Sequence, residues 1–203
     1  MEKKLEFSKI LSNSIEIGSK NLPSILGCVV LWLLTIWIPY VNVGTTIALA
    51  TLPAALSKGK IISPLTIFDK TYYKYMGEYF LVNGLKGIIQ LAATAFLIVP
   101  AIVLSIAYSL STLLVVDKNK GASEALKCSL NATYGYKWVI FFWYLALYAI
   151  AAIIASILMR IWSPLVIILV VALMVSIIGS KAYIYGQLTT DISDEDKSTS
   201  EMV

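Results

Sequence analysis

The chain has 203 residues, of which 59% are hydrophobic and 14% are charged, and it contains no histidine. A soluble domain has about a quarter of its residues charged and roughly half apolar, so this composition excludes an ordinary soluble globule and points to a bilayer. The missing histidine excludes a Ser-His-Asp triad, a Cys-His pair, a His-bound zinc site and a His-ligated haem.

Almost all charged residues fall into four segments, and the stretches between them are nearly free of charge. The segments are 1–21, 57–78, 117–137 and 181–203. The stretches between them are 22–56, 79–116 and 138–180. Each stretch is about twice the roughly 20 residues that a helix needs to cross a bilayer. We therefore expect each stretch to cross twice, as a helical hairpin.

Helix-breaking residues mark a turn inside each stretch: Pro39 to Gly44 in the first, Pro100 in the second, and Arg160 to Pro164 in the third. Proline ends or kinks a helix because it lacks a donor and clashes with the preceding turn. The predicted fold is all-α, with six transmembrane helices in three hairpins. The predicted spans are 22–38, 42–56, 79–98, 101–116, 138–159 and 164–185. Because the spans 42–56 and 101–116 are short, a re-entrant segment stays open as an alternative for each.

The charge distribution predicts the orientation. With six crossings all four charged segments lie on one side, and lysines near membrane ends favour the cytoplasm. Lysine far outnumbers arginine, which is typical of an AT-rich prokaryotic genome. We expect a multi-pass protein of a prokaryotic cell membrane (inner or plasma) with both termini in the cytoplasm. Its parts are a cytoplasmic amphipathic segment 1–21, a membrane domain 22–188 and a disordered acidic tail 189–203.

Three of the charged segments also carry apolar residues at helical spacing, over 5–17, 64–76 and 121–133. Two interpretations are open for these segments. Each is a short amphipathic interfacial helix on the cytoplasmic side, with its lysines near the headgroups, or each is a docking surface for a soluble partner.

Lys86 is the one lysine inside an apolar stretch. Its side chain either snorkels to the inner headgroups or is a buried functional lysine. No Asp or Glu lies deep within a predicted span, which argues against a proton-coupled pump. Cys28 and Cys128 are expected to be free thiols, and the sequence predicts no cofactor, no metal site and no nucleic-acid partner. The expected partners are the lipid bilayer, including anionic lipids, and a membrane or cytoplasmic protein.

One stretch resembles a known family. Residues 115–138 read VVDKNKGASEALKCSLNATYGYKW. The recurring positions are Gly121, Glu124, Ser129, Thr133, Gly135 and Trp138. The pattern is similar to that of the prokaryotic glycerophosphoryl-diester phosphodiesterase membrane-domain group and its six-helix integral membrane relatives. In that group the membrane domain accompanies a catalytic domain in some members and stands alone in others.

The resemblance carries no catalytic residue over to this chain, which lacks the histidines of the phosphodiesterase domain. It implies structural roles instead: Gly121 starts a surface helix, Glu124 supports its first turn, Gly135 ends it and Trp138 anchors the next span.

The sequence therefore predicts a non-enzymatic integral membrane protein that scaffolds or modulates a membrane partner or lipid. The alternative is a small transporter or exporter, or a membrane protein of the bacteriocin-immunity type. An intramembrane enzyme acting on lipid is disfavoured, because no histidine and no membrane Asp/Glu pair is present.

Overall fold

The computed structural model describes residues 5–96, 98–161 and 164–190, and this part of the chain is helical without any strand. The all-α prediction is therefore confirmed for these residues. Of the predicted disordered tail, only Thr189 and Thr190 are among the described residues. The α-helices are α1 Phe7–Lys20, α2 Leu22–Thr35, α3 Pro39–Leu56, α4 Thr71–Lys74, α5 Met76–Phe96, α6 Ile98–Ala107, α7 Ser111–Asp117, α8 Ala122–Ala132, α9 Lys137–Ile161 and α10 Leu165–Leu188.

Within the described residues, three helical stretches are long and apolar enough to cross a membrane. They are Ile98–Asp117, which comprises α6 and α7, Lys137–Arg160 in α9, and Val166–Leu188 in α10. Helices α1 and α2 form a fourth candidate if they are counted together, but they meet at an angle of 67°. The other predicted spans are also helical, as α2, α3 and α5. Helix α2 has only 14 residues, which at about 1.5 Å per residue is short for a bilayer.

Apolar side chains in the second half of α9 and in the first half of α10 are exposed. Ile153 in α9 is 62% exposed and Ile167 in α10 is 68% exposed, whereas Ile140 and Trp143 near the start of α9 are buried. A contiguous apolar surface of this kind is unfavourable in water and is satisfied by hydrocarbon. The exposed halves of α9 and α10 therefore have the surface of membrane helices.

Helix α1 packs lengthwise against α10. Ile10, Ser14 and Gly18 form its buried face, and a glycine on each helix allows the close approach: a Cβ on Gly18 would lie 2.7 Å from Val175 Cγ1. Apolar side chains directly beside this face remain exposed, among them Leu11. The predicted amphipathic helix over 5–17 is thus present, and one of its faces belongs to the protein interior.

The predicted helix over 64–76 is broken in the structure. A 3-10 helix covers Pro64–Phe68 and α4 covers only four residues. Asp69 between them is extended, and its carboxylate accepts a hydrogen bond of 2.9 Å from the Thr71 backbone N–H. This bond lowers the pKa of the Asp69 carboxyl. This bond closes a turn just before the new helix at Thr71, a break that a continuous apolar stripe in the sequence does not reveal.

The segment between α3 and α5 packs back along the α2–α3 pair. Pro64 fills the space beside Gly27, where a Cβ would meet the proline ring at 2.6 Å. Further along, the Tyr73 ring stacks on Tyr40 with centroids 4.8 Å apart and lies against Gly44. These contacts hold the segment against two apolar helices, so it is not a free loop.

Two buried apolar clusters form the core. One lies between α2, α3 and α10 and contains Ile25, Leu52 and Ala182. The other joins α7, α8, the start of α9 and the end of α10, and it also takes in Leu5, next to α1. The second cluster contains residues that lie within or next to each of the four charged segments. These residues meet at one end of the molecule.

Candidate functional site

A polar cluster at this end ties distant helices together. The Asp117 carboxylate, at the end of α7, pairs with the Lys58 ammonium after α3. It also accepts a hydrogen bond of 2.8 Å from the Tyr185 hydroxyl of α10. On the neighbouring side, Glu78 of α5 accepts a hydrogen bond of 2.7 Å from the Ala122 backbone N–H at the start of α8. Asp117, Lys58 and Tyr185 are called the Asp117 cluster below.

The first half of the motif starts α8. Gly121 precedes the helix with extended backbone angles, φ −62 and ψ 157. Glu124 lies in the first helical turn, and its carboxylate is 2.6 Å from the Lys120 ammonium. An acidic group in the first turn stabilises a helix through its dipole. The structure thus places these two residues at the helix start.

The second half of the motif holds the break between α6 and α7. The Ser129 hydroxyl donates to the Ala107 carbonyl oxygen at 2.6 Å and accepts from the Leu110 N–H at 3.2 Å. Thr133 adds a longer contact of 3.4 Å to the same carbonyl. Both backbone groups have lost their helical partners at the break, and Ser129 satisfies them in a fully buried position.

Gly135 and Trp138 shape the passage from α8 to α9. Gly135 has a positive φ of +83, a conformation that glycine adopts without strain. Trp138 is 64% exposed and stacks on Phe142 in the first turns of α9. The motif therefore builds a scaffold, and Trp138 also borders the apolar pocket between α6 and α9 described below.

Lys86 points into the bundle between α5 and α7. Its ammonium donates to Thr112 Oγ1 at 2.9 Å and lies 3.4 Å from Asn83 Oδ1. Both partners are neutral. Lys86 borders a cavity of about 290 Å³ together with Gln90 and Ser105.

Lys181 is a second interior lysine that the sequence pattern assigned to a charged terminal segment. It lies in α10 and lines a cavity of about 660 Å³ between α5, α6, α9 and α10. Gln90 and Ser105 line this cavity and the one beside Lys86, so the two spaces adjoin. We call the two together the lysine cavity.

The two lysines of the lysine cavity come from different helices. Lys86 lines one of the two adjoining spaces and Lys181 lines the other. Among the described residues that line the cavity there is no Asp or Glu, and within the described part of the chain Lys181 makes no hydrogen bond or ion pair. An anionic ligand beside a buried lysine stabilises the charged form of that lysine.

The remaining walls are of two kinds. Gln90, Ser105 and Tyr144 contribute polar side chains to the cavity lining, and Ile98 and Leu145 contribute aliphatic ones. Ile102, Ile106 and Phe141 are shared with a separate apolar pocket of about 180 Å³ between α6 and α9. The site can hold an anionic group beside hydrocarbon.

No metal-binding group of acidic, cysteine or histidine side chains is found in the described residues. Comparison with known proteins finds no family model, no curated protein and no solved structure that matches the chain. The family resemblance of residues 115–138 therefore stays a prediction.

Proposed function

We propose that the chain crosses the cell membrane six times as three hairpins, with both termini in the cytoplasm. Support comes from the Asp117 cluster and the Glu78–Ala122 contact, which join the two ends of segment 57–78 to segments 117–137 and 181–203. The middle of segment 57–78 runs along α3 to its start, where Tyr73 stacks on Tyr40. Lysine-rich segments gathered at one end of a membrane bundle are expected on the cytoplasmic side.

Cysteine labelling tests this topology. In a chain whose own cysteines are replaced by alanine, Lys60→Cys and Ser123→Cys are exposed positions in two charged segments, and Trp37→Cys lies at the α2–α3 turn, where the tryptophan is 89% exposed. We expect a membrane-impermeant maleimide to label Trp37→Cys in intact cells, and the other two only after permeabilisation. Labelling of Lys60→Cys or Ser123→Cys from outside contradicts six crossings.

We further propose that the protein is a non-enzymatic membrane protein that binds an anionic lipid and thereby organises or modulates it. The observation that carries this proposal is the pair Lys86 and Lys181 on the wall of a cavity without acidic side chains among its described lining. An ionisable residue at membrane depth is costly to keep and is typical of a functional site. A lipid phosphate supplies the missing negative charge, and the bilayer supplies that phosphate directly.

Lipid retention by the purified protein tests the binding site. Delipidated protein in mild detergent is offered phosphatidylethanolamine mixed with the anionic phosphatidylglycerol and phosphatidic acid, and bound lipid is quantified by mass spectrometry. We expect anionic lipid to be enriched over phosphatidylethanolamine. Lys86→Gln and Lys181→Gln should each weaken that binding about tenfold, because a hydrogen bond to a charged group contributes about 1.5–3 kcal/mol.

The matched control is Lys127→Gln, which removes the same charge from an exposed position on α8. It should leave binding nearly unchanged. Equal losses in all three variants would show that binding follows net charge alone, and the lysine cavity would not be the site.

A further inference from the structure

The pocket between α6 and α9 opens to the outside of the bundle. It is lined by four aliphatic side chains of α6 and by Lys137, Trp138 and Phe141 in the first turns of α9. Val99 on the α6 side and Trp138 on the α9 side are each 64% exposed. Both helices belong to stretches that are long and apolar enough to cross a membrane. In a bilayer this pocket therefore has hydrocarbon beside it.

Lys137 gives the pocket one charged end. It is the first residue of α9 and of the apolar stretch Lys137–Arg160, so it lies where the hydrocarbon region meets the headgroups. The exposed Trp138 next to it is typical of the same level of a membrane. Lys137 is half-buried and makes no hydrogen bond or ion pair within the described part of the chain. The pocket thus combines an unpaired cation at the membrane boundary with apolar walls.

The acidic side chains of the same charged segment, 117–137, have other partners. Asp117 belongs to the Asp117 cluster, and the Glu124 carboxylate pairs with the Lys120 ammonium. No Asp or Glu occurs among the described residues that line the pocket. The charge of Lys137 is therefore available to a group from outside the chain, and at this level of a membrane the abundant anion is a lipid phosphate.

We propose that the pocket between α6 and α9 binds an anionic phospholipid, with the phosphate at Lys137 and part of one acyl chain between the two helices. The acyl chain supplies the van der Waals contacts that an empty pocket lacks. A zwitterionic lipid brings an ammonium of its own to a segment in which lysines outnumber acids, so a lipid with net negative charge is favoured.

This site goes beyond the function proposed above. Neither Lys86 nor Lys181 is among the described residues that line the pocket, and Lys137 is not among those that line the lysine cavity. Substitutions at the two places therefore test the two sites separately.

Fluorescence quenching by brominated lipids tests the site, because bromine in an acyl chain quenches a tryptophan that it contacts. The full chain is reconstituted in phosphatidylcholine vesicles that contain either brominated phosphatidylglycerol or the same fraction of brominated phosphatidylcholine. The difference between the unaltered protein and Trp138→Phe gives the emission of Trp138. We expect both lipids to quench this emission, and phosphatidylglycerol to occupy the site about fivefold more tightly than phosphatidylcholine.

Lysine substitutions locate the source of this preference. Lys137→Gln should abolish the preference for phosphatidylglycerol and leave quenching by brominated phosphatidylcholine in place, whereas Lys137→Arg should retain the preference. The matched control Lys127→Gln removes the same charge from an exposed position on α8 and should also retain it. Lys86→Gln and Lys181→Gln should retain it as well, because neither side chain lines the pocket.

Each contrary result overturns a stated part of the proposal. Equal quenching of Trp138 by the two brominated lipids overturns the preference for an anionic headgroup, and no quenching by either overturns the place of the acyl chain. Equal losses in Lys137→Gln and Lys127→Gln would show that the preference follows net charge alone. A loss in Lys181→Gln as large as that in Lys137→Gln would assign the preference to the lysine cavity. The first two results need only Trp138→Phe, a conservative change at an exposed position.

Discussion

Replacing Gly179 by alanine is expected to separate α1 from α10 and to lower the stability of the protein. A Cβ at this position would fall on the Ser14 carbonyl oxygen of α1, well inside van der Waals contact, with the Gly18 backbone nitrogen nearby. Backbone atoms cannot rotate away, so the whole of α1 must shift. Overpacking of this kind costs about 1–3 kcal/mol. Thermal unfolding in detergent and amide exchange of Phe7–Lys20 measure the two effects.

Gly84→Ala is the matched control. Gly84 also lies inside a helix, α5, but a Cβ there meets nothing within 4 Å. Alanine should therefore stabilise the protein at this position by about 0.5–1 kcal/mol, because glycine is a poor helix former. The same gain in helix propensity applies at Gly179. The difference in unfolding free energy between the two variants therefore isolates the effect of the contact with α1. If Gly179→Ala were as stable as Gly84→Ala, the close packing of α1 on α10 would be wrong.

The positions of the helices were predictable because they depend on local composition. The predicted span 42–56 lies within α3, Pro39–Leu56, and the predicted span 138–159 lies within α9, Lys137–Ile161. Charged residues and prolines lie at or near the first and last residues of these helices, and both signals are visible in a single sequence. The start of α8 after Gly121 and the turn at Gly135 likewise depend on the local sequence.

The features that depend on distant contacts were not predictable. The break between α6 and α7 falls inside the predicted span 101–116, and it is stable because Ser129, far along the chain, satisfies its backbone groups. Lys181 falls both in the charged segment 181–203 and in the predicted span 164–185, and a single sequence does not show that it lines an interior cavity. Only the assembled bundle places Lys181 and Lys86 on adjoining cavities, which share Gln90 and Ser105 in their linings.

Asp117→Ala is expected to be among the most destabilising single changes at the end of the molecule where the charged segments meet. The Asp117 side chain is 8% exposed and holds two partners from distant parts of the chain, Lys58 after α3 and Tyr185 in α10. Its removal leaves the Tyr185 hydroxyl without its acceptor, and Tyr185 is 1% exposed. A lost hydrogen bond to a charged group and a buried donor left unpaired together cost about 2–4 kcal/mol. Thermal unfolding in detergent measures the loss.

The two partners of Asp117 should contribute unequally to the stability of the protein. The Lys58 side chain is 51% exposed, so solvent screens its charge and Lys58→Ala should cost about 0–1 kcal/mol. Tyr185→Phe keeps the ring and removes only the donor, so its cost should lie between those of the other two variants. In a double-mutant cycle, Asp117→Ala and Tyr185→Phe should cost less together than the sum of the two single changes. Strict additivity would show that the hydroxyl and the carboxylate act independently, and the link between α7 and α10 would then depend on apolar packing alone.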